Sequence, residues 1–128
     1  MISPIWRHTL ATVVQYRGLS MSAEEQKVMQ VRAMCKVAMG CAEVVAAHDA
    51  SDTYEYEKET YQKRKLRAIQ ITKSIGDRFY FETALGSIID LCVVANEMED
   101  AGKLFKLISV DVIRDSLLKA HPTLQRPI

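Results

Sequence analysis

A surplus of charge of either sign is missing from this 128-residue chain: 17 Lys and Arg against 16 Asp and Glu leave a formal net charge of +1. No whole-molecule field therefore gathers nucleic acid, an anionic membrane or an acidic substrate. Cysteine is scarce and odd in number. Cys35, Cys41 and Cys92 each sit in an apolar stretch, and the six-residue step from Cys35 to Cys41 fits neither a zinc pair nor a disulfide on a helix. Free buried thiols in a reducing compartment are the expectation. His8, His48 and His121 are too widely separated for an i, i+4 metal pair, and neither a phosphate-cradling glycine loop nor a G-x-S-x-G turn occurs. Long apolar runs are also lacking: the longest, Ala84 to Ala95, contains Asp90 and is too short to cross a bilayer. Met1 to Leu10 holds Pro4, Arg7 and His8 where a signal peptide would need an apolar core. A cytoplasmic protein is expected.

What is present is an ordinary globular balance, 48% hydrophobic and 26% charged, in one domain spanning residues 1–128 that is large enough to bury roughly two-thirds of its unfolded surface. The stretch that organises it is Ser22 to His48. Read as a helix, it has one charged stripe, Glu25, Arg32, Lys36 and Glu43. Val28, Val31, Met34, Cys35, Ala38, Cys41, Ala42, Val45 and Ala46 fill the arc opposite, and Met29, Ala33, Val37 and Val44 lie on the remaining flank. A helix apolar nearly all round has to be covered on more than one side, which predicts the central helix of a bundle or the shared element of a homodimer. Ser22 with Glu25 forms a capping box. Val28, Val31, Cys35, Ala38, Ala42 and Val45 follow a short heptad pattern, and Gly40 leaves room for a close helix contact.

Other helices follow from punctuation. Ser3, Pro4 and Gly18 bracket a first helix with Ile5, Trp6, Leu10, Val13 and Val14 on its buried side. Asp52 or Thr53 starts a third that runs to Ile75 and stops at Gly76; Asp77 caps a fourth, Arg78 to Ala101, ending at Gly102. Lys103 to Ile108 is expected to be a short helical or irregular turn, Ser109 to cap a last helix, and residues 123–128 to form an extended tail. The result is an all-α, single-domain bundle of about five helices with a long central hairpin made by the second and third.

The third helix carries Tyr54, Tyr61, Ala68, Thr72 and Ile75 on one arc and Leu66 and Ile69 on nearly the opposite side, so it too predicts two neighbours. Its acids precede its bases, as the helix dipole favours. Lys63, Arg64, Lys65, Arg67 and Lys73 are the candidate nucleic-acid contacts, although at helical spacing they spread around the axis instead of forming one phosphate-facing row. Asp90 and Glu97, seven apart, share a face of the expected fourth helix with Glu82 and Asp100 beside them, a carboxylate set able to hold Mg²⁺ or Mn²⁺. Glu97 and Asp100 resemble half of the acidic motif of the all-α nucleotide pyrophosphatases; the other half is unmatched, since Glu24-Glu25 lies at a helix start without a further acid one turn on.

The reading that these residues favour is a small protein-protein interaction or regulatory module acting through helical surfaces as a homodimer, with Met29, Val37, Val44, Leu66 and Ile69 as partner-binding residues and no cofactor. A nucleic-acid-associated regulator using the basic helix is the alternative, and a metal-dependent enzyme the second alternative.

Overall fold

Ser22 opens the first described helix by accepting the Glu25 amide on its hydroxyl at 3.1 Å, as a capping box requires. The computed structural model describes residues 21–48 and 52–125; the helix expected over residues 4–17 lies outside them. Five α-helices follow in order: α1 Ala23–Ala47, α2 Tyr54–Lys73, α3 Arg78–Val94, α4 Met98–Phe105 and α5 Asp111–Ala120, with a 3₁₀ turn at Pro122–Gln125. No strand occurs among the described residues, and the segment from Phe79 to Val94, whose aromatic and β-branched content is compatible with a strand, is helical throughout. None of these helices is long and apolar enough to cross a membrane.

The expected hairpin is formed by α1 and α2. They run antiparallel: the Tyr54 hydroxyl meets His48 Nδ1 at 3.0 Å at one end, and Lys27 donates to the Ser74 carbonyl at 3.1 Å near the other. The turn out of α1 uses His48 in the left-handed region at φ 50°. At the far end the Glu24 carboxylate accepts the amides of Gly76 and Asp77 at 2.9 and 2.8 Å. This pins the α2–α3 turn to the start of α1, so α3 sets out from the same end as α1 and runs alongside it. Gly76 is a position of close approach, since a Cβ there would stand 3.3 Å from Glu24 Oε1.

The Ser22–His48 helix, expected at the centre, is covered by α2 and α3 together, and the most completely buried helix is α3. Ile88, Ile89, Leu91 and Cys92 have no exposed surface, because α3 is apolar on three sides over only 17 residues. In α1, Val28, Val31, Cys35, Ala38 and Ala42 are buried and Val45 packs against them, so the heptad seam is an intrachain seam, covered by α2 on one side and α3 on the other.

The fourth helix does not reach Ala101. It ends at Val94, where Asn96 takes φ 62°, the Glu97 amide bonds back to the Cys92 carbonyl at 2.8 Å and the Asn96 amide to that of Val93 at 3.0 Å. These are the two bonds of a Schellman stop with Asn in the position usually held by glycine. A separate helix, α4, then begins at Met98. Residues Thr123–Gln125, expected in an extended tail, close the 3₁₀ turn, and Leu124 is buried in the core.

Candidate interaction surfaces and the polar sites beside them

Five side chains stand at the centre of the partner-binding expectation, and the fold divides them between two surfaces. Val37 is 52% exposed near the middle of α1. Met29, Ala33 and Val44 are half-buried on the same stripe and Gly40 lies exposed within it, with nothing within 4 Å of where its Cβ would be. The flank of α1 next to Val37 meets α2, where the Arg64 guanidinium approaches the Val37 carbonyl at 3.5 Å and Cys41 Sγ at 3.7 Å. Leu66, 56% exposed, stands two residues beyond Arg64 and so about 200° around α2 from that contact. Ile69 lies on Leu66's flank and packs partly against the core. One stripe, on α1, is therefore continuous; Leu66 and Ile69 form a second, smaller patch.

The basic residues are divided as well. Lys63 pairs with Glu59 at 3.0 Å on the surface. Arg64 lies against α1, while Arg67 and Lys73 are exposed. Lys65, only 17% exposed, turns inward to Glu97 at 2.8 Å and Asp100 at 3.5 Å. It sits 5.4 Å over the Tyr61 ring, and the buried Tyr61 hydroxyl also donates to Glu97. Burial alone would lower the Lys65 ammonium's pKa, but the Glu97 hydrogen bond and surrounding negative charge outweigh it and raise it. Burial, then the Glu97 hydrogen bond, pushes the Tyr61 phenol up, so it remains a donor. The five bases thus present no single phosphate-facing row.

The carboxylate set comes apart for the reason that α3 stops early. Asp90 stays on α3 and takes His121 Nε2 at 2.7 Å, tying the end of α5 to α3, whereas Glu97, past the Schellman stop, faces Lys65 and Tyr61. Glu82 joins neither. It is completely buried: Oε1 accepts the amides of Ser109 and Val110, each at 2.8 Å, and Oε2 accepts the Ser109 hydroxyl at 2.7 Å and Arg78 Nε at 2.5 Å. Burial would raise its pKa; the amides, the hydroxyl and the guanidinium together hold it below the usual glutamate value. The helix start at Asp111 is therefore served by a carboxylate from α3, and Ser109, expected as the cap, is itself a donor to it. No group of three or more His, Cys, Asp or Glu side chains among the described residues is placed to hold a metal ion.

The thiols are inert by environment. Burial, reinforced by Cys92 and Asp90, pushes Cys35 up to about 12. Burial likewise takes Cys92 to about 11 against the pull of Lys65. Both are protonated at neutral pH and lack nucleophilic character.

Among the described residues there is an open groove of about 340 Å³ whose floor is the outer face of α3, Phe79, Thr83, Gly86, Ser87 and Asp90. Arg32 of α1 forms one wall and Val112 and Leu117 of α5 the other. Nothing in the pattern of charges announces it; its only signal is the small residue Gly86 at helical spacing from Thr83 and Asp90. No family model, curated protein or solved structure matches this chain. The surfaces therefore have to be read from their own chemistry.

Proposed function

We propose that the chain is a small interaction or regulatory module that works through helical surface and self-associates along the outer face of α1. The observation that carries the reading is the stripe Met29, Ala33, Val37, Gly40 and Val44, apolar or small at every position, with Val37 half in solvent at mid-helix. A long helix buried on two sides has little reason to keep β-branched residues on the third unless that side is also covered at times.

The stripe's border selects an arrangement. Lys36 and Glu43, both exposed, lie on the flank away from α2. A two-fold axis beside Gly40 crosses two α1 helices antiparallel and sets Lys36 of each copy level with Glu43 of the other, giving two reciprocal ion pairs. A parallel pairing would bring Lys36 toward the Arg64 and Arg67 side of the second copy and is disfavoured. Gly40 at the crossing allows close backbone approach. The three cysteines, all free and buried, support a reducing, cytoplasmic setting.

Sedimentation across a wide concentration range tests the reading. We expect a reversible dimer that Val37→Glu dissociates; Lys36→Glu or Glu43→Lys alone weakens it, and the two together restore it. A chain that remains monomeric throughout removes the self-association, and a dimer indifferent to Val37→Glu removes this face.

A further inference from the structure

The groove over α3 is separate from the α1 stripe, and its lips are apolar and open: Phe79 is 50% exposed and Val112 66%. Three helices frame it and all three run the same way. Glu24 holds the start of α3 to the start of α1; Val110 and His121, at the two ends of α5, are fixed to Glu82 and Asp90 in the same order along α3. A helix entering such a slot from the α1 end lies antiparallel to all three walls.

The chain itself supplies a segment at that end. Residues 1–20 precede Met21, which lies beside the Glu24–Gly76 contact and so at the Phe79 end of the groove. The helix that the sequence predicts over Pro4 to Arg17 would be about 21 Å long, and the floor from Phe79 to Asp90 measures about 16 Å at the same rise. Gly18 to Met21 spans up to about 13 Å, enough to cross the 8–10 Å, roughly, between packed helix axes. With Arg17 level with Phe79 and the direction reversed, Leu10 falls over Gly86, where no side chain fills the floor, and Trp6 and Arg7 fall beside Asp90, the floor's one carboxylate, which holds His121 through Oδ1 and is 46% exposed. Trp6, Leu10 and Val13 share a face at i, i+4 and i+7. Arg32, at the wall, can lay its aliphatic stem along that face and keep its charge in water.

We propose that the α1–α3–α5 groove is the docking site of the chain's own residues 4–17, bound antiparallel with Trp6, Leu10 and Val13 against the floor and Arg7 against Asp90. Trp6 is the single tryptophan of the chain, so its emission reports the docking in the intact protein. The expected result is a blue-shifted emission and poor quenching by acrylamide, both independent of protein concentration. Val112→Glu, at an exposed lip where folding does not depend on it, shifts the emission to the red and opens Trp6 to quencher. Tyr56→Glu, equally exposed on α2, leaves it unchanged, and the helical circular dichroism of both variants matches the parent. Solvent-exposed emission in the parent overturns the proposal. So does shielding that ignores Val112→Glu, which places the segment elsewhere, or shielding that appears only as concentration rises, which makes a second copy the acceptor. The α1 dimer is read by sedimentation and Val37→Glu, so either inference can fail alone.

Discussion

Replacing Glu82 by glutamine tests the most concentrated set of interactions in the fold. The carboxylate has no exposed surface and accepts four hydrogen bonds from three residues. Glutamine keeps the volume and one acceptor. If its carbonyl oxygen stays under the Ser109 and Val110 amides, its NH₂ takes the place of Oε2 and points donors at Arg78 Nε, which also donates. The Ser109 hydroxyl can rotate to accept, but the Arg78 contact cannot be rescued, and the two amides change from a charged acceptor to a neutral one. Hydrogen bonds to charged groups contribute about 1.5–3 kcal/mol each, and a buried guanidinium–carboxylate pair broken on one side costs about 3–5 kcal/mol. Arg78 is 58% exposed, which discounts its share heavily, so the expected loss is about 3 kcal/mol, or roughly 10 °C in Tm for a chain of this size.

The pH dependence follows from the same geometry. The folded pKa of Glu82 lies below its ordinary 4.5, so the unfolded chain binds the proton more readily than the folded one. The stabilisation is therefore complete above about pH 4.5 and is lost as pH falls through the depressed folded value. Urea unfolding at neutral pH and at a series of acidic values measures both. Glu82→Gln should lower the midpoint at neutral pH and narrow the gap to the parent as pH falls. A change under about 0.5 kcal/mol at neutral pH, or a gap that widens in acid, refutes the assignment of the α5 anchor to this carboxylate.

Asn96→Val should destabilise by about 1–2 kcal/mol relative to Asn96→Gly, because a β-branched residue resists the left-handed conformation that the Schellman stop requires; thermal melts of the pair decide it. Lys65→Met should cost about 2 kcal/mol, since it leaves Glu97 facing Tyr61 without its cation, and a neutral result in urea unfolding would show that the Tyr61 hydroxyl suffices. Cys35 and Cys92 should resist iodoacetamide at neutral pH until denaturant is added, as mass spectrometry of the labelled chain would show; rapid native labelling would contradict their buried, protonated state.

Much of the helix plan was legible because its signals are local. Ser22 and Asp77 cap where the sequence places them, and the buried face of α1 follows a spacing visible in Val28, Val31, Cys35, Ala38 and Ala42. The break after Val94 was missed although its signal is present. Asn96 occupies the left-handed stop position, but the apolar spacing of Phe81, Leu85, Ile88 and Cys92 runs up to it without interruption and Gly102 offers a more familiar terminator further on. That single error carried the carboxylate site with it, since Asp90 and Glu97 share a face only if the helix is continuous.

The polar partners were illegible for a different reason. Glu24 with Gly76, Glu82 with Ser109, Lys65 with Glu97 and His121 with Asp90 each join residues at least 27 positions apart, and no periodicity encodes which distant amide or cation a carboxylate will meet. Each of these contacts holds a junction: α1 to the α2–α3 turn, α3 to the start of α5, α2 to α4, and α3 to the end of α5. Their positions explain why the charged residues that looked most available for chemistry are the ones used for assembly. Lys36, Glu43 and Arg32, which have no ion-pair partner among the described residues, border the α1 stripe and the α3 groove. Under the reading proposed above, charge beside an apolar helix face lets that face select both a partner and an orientation, with the α1 stripe on one side of Arg32, Lys36 and Glu43 and the α3 groove on the other.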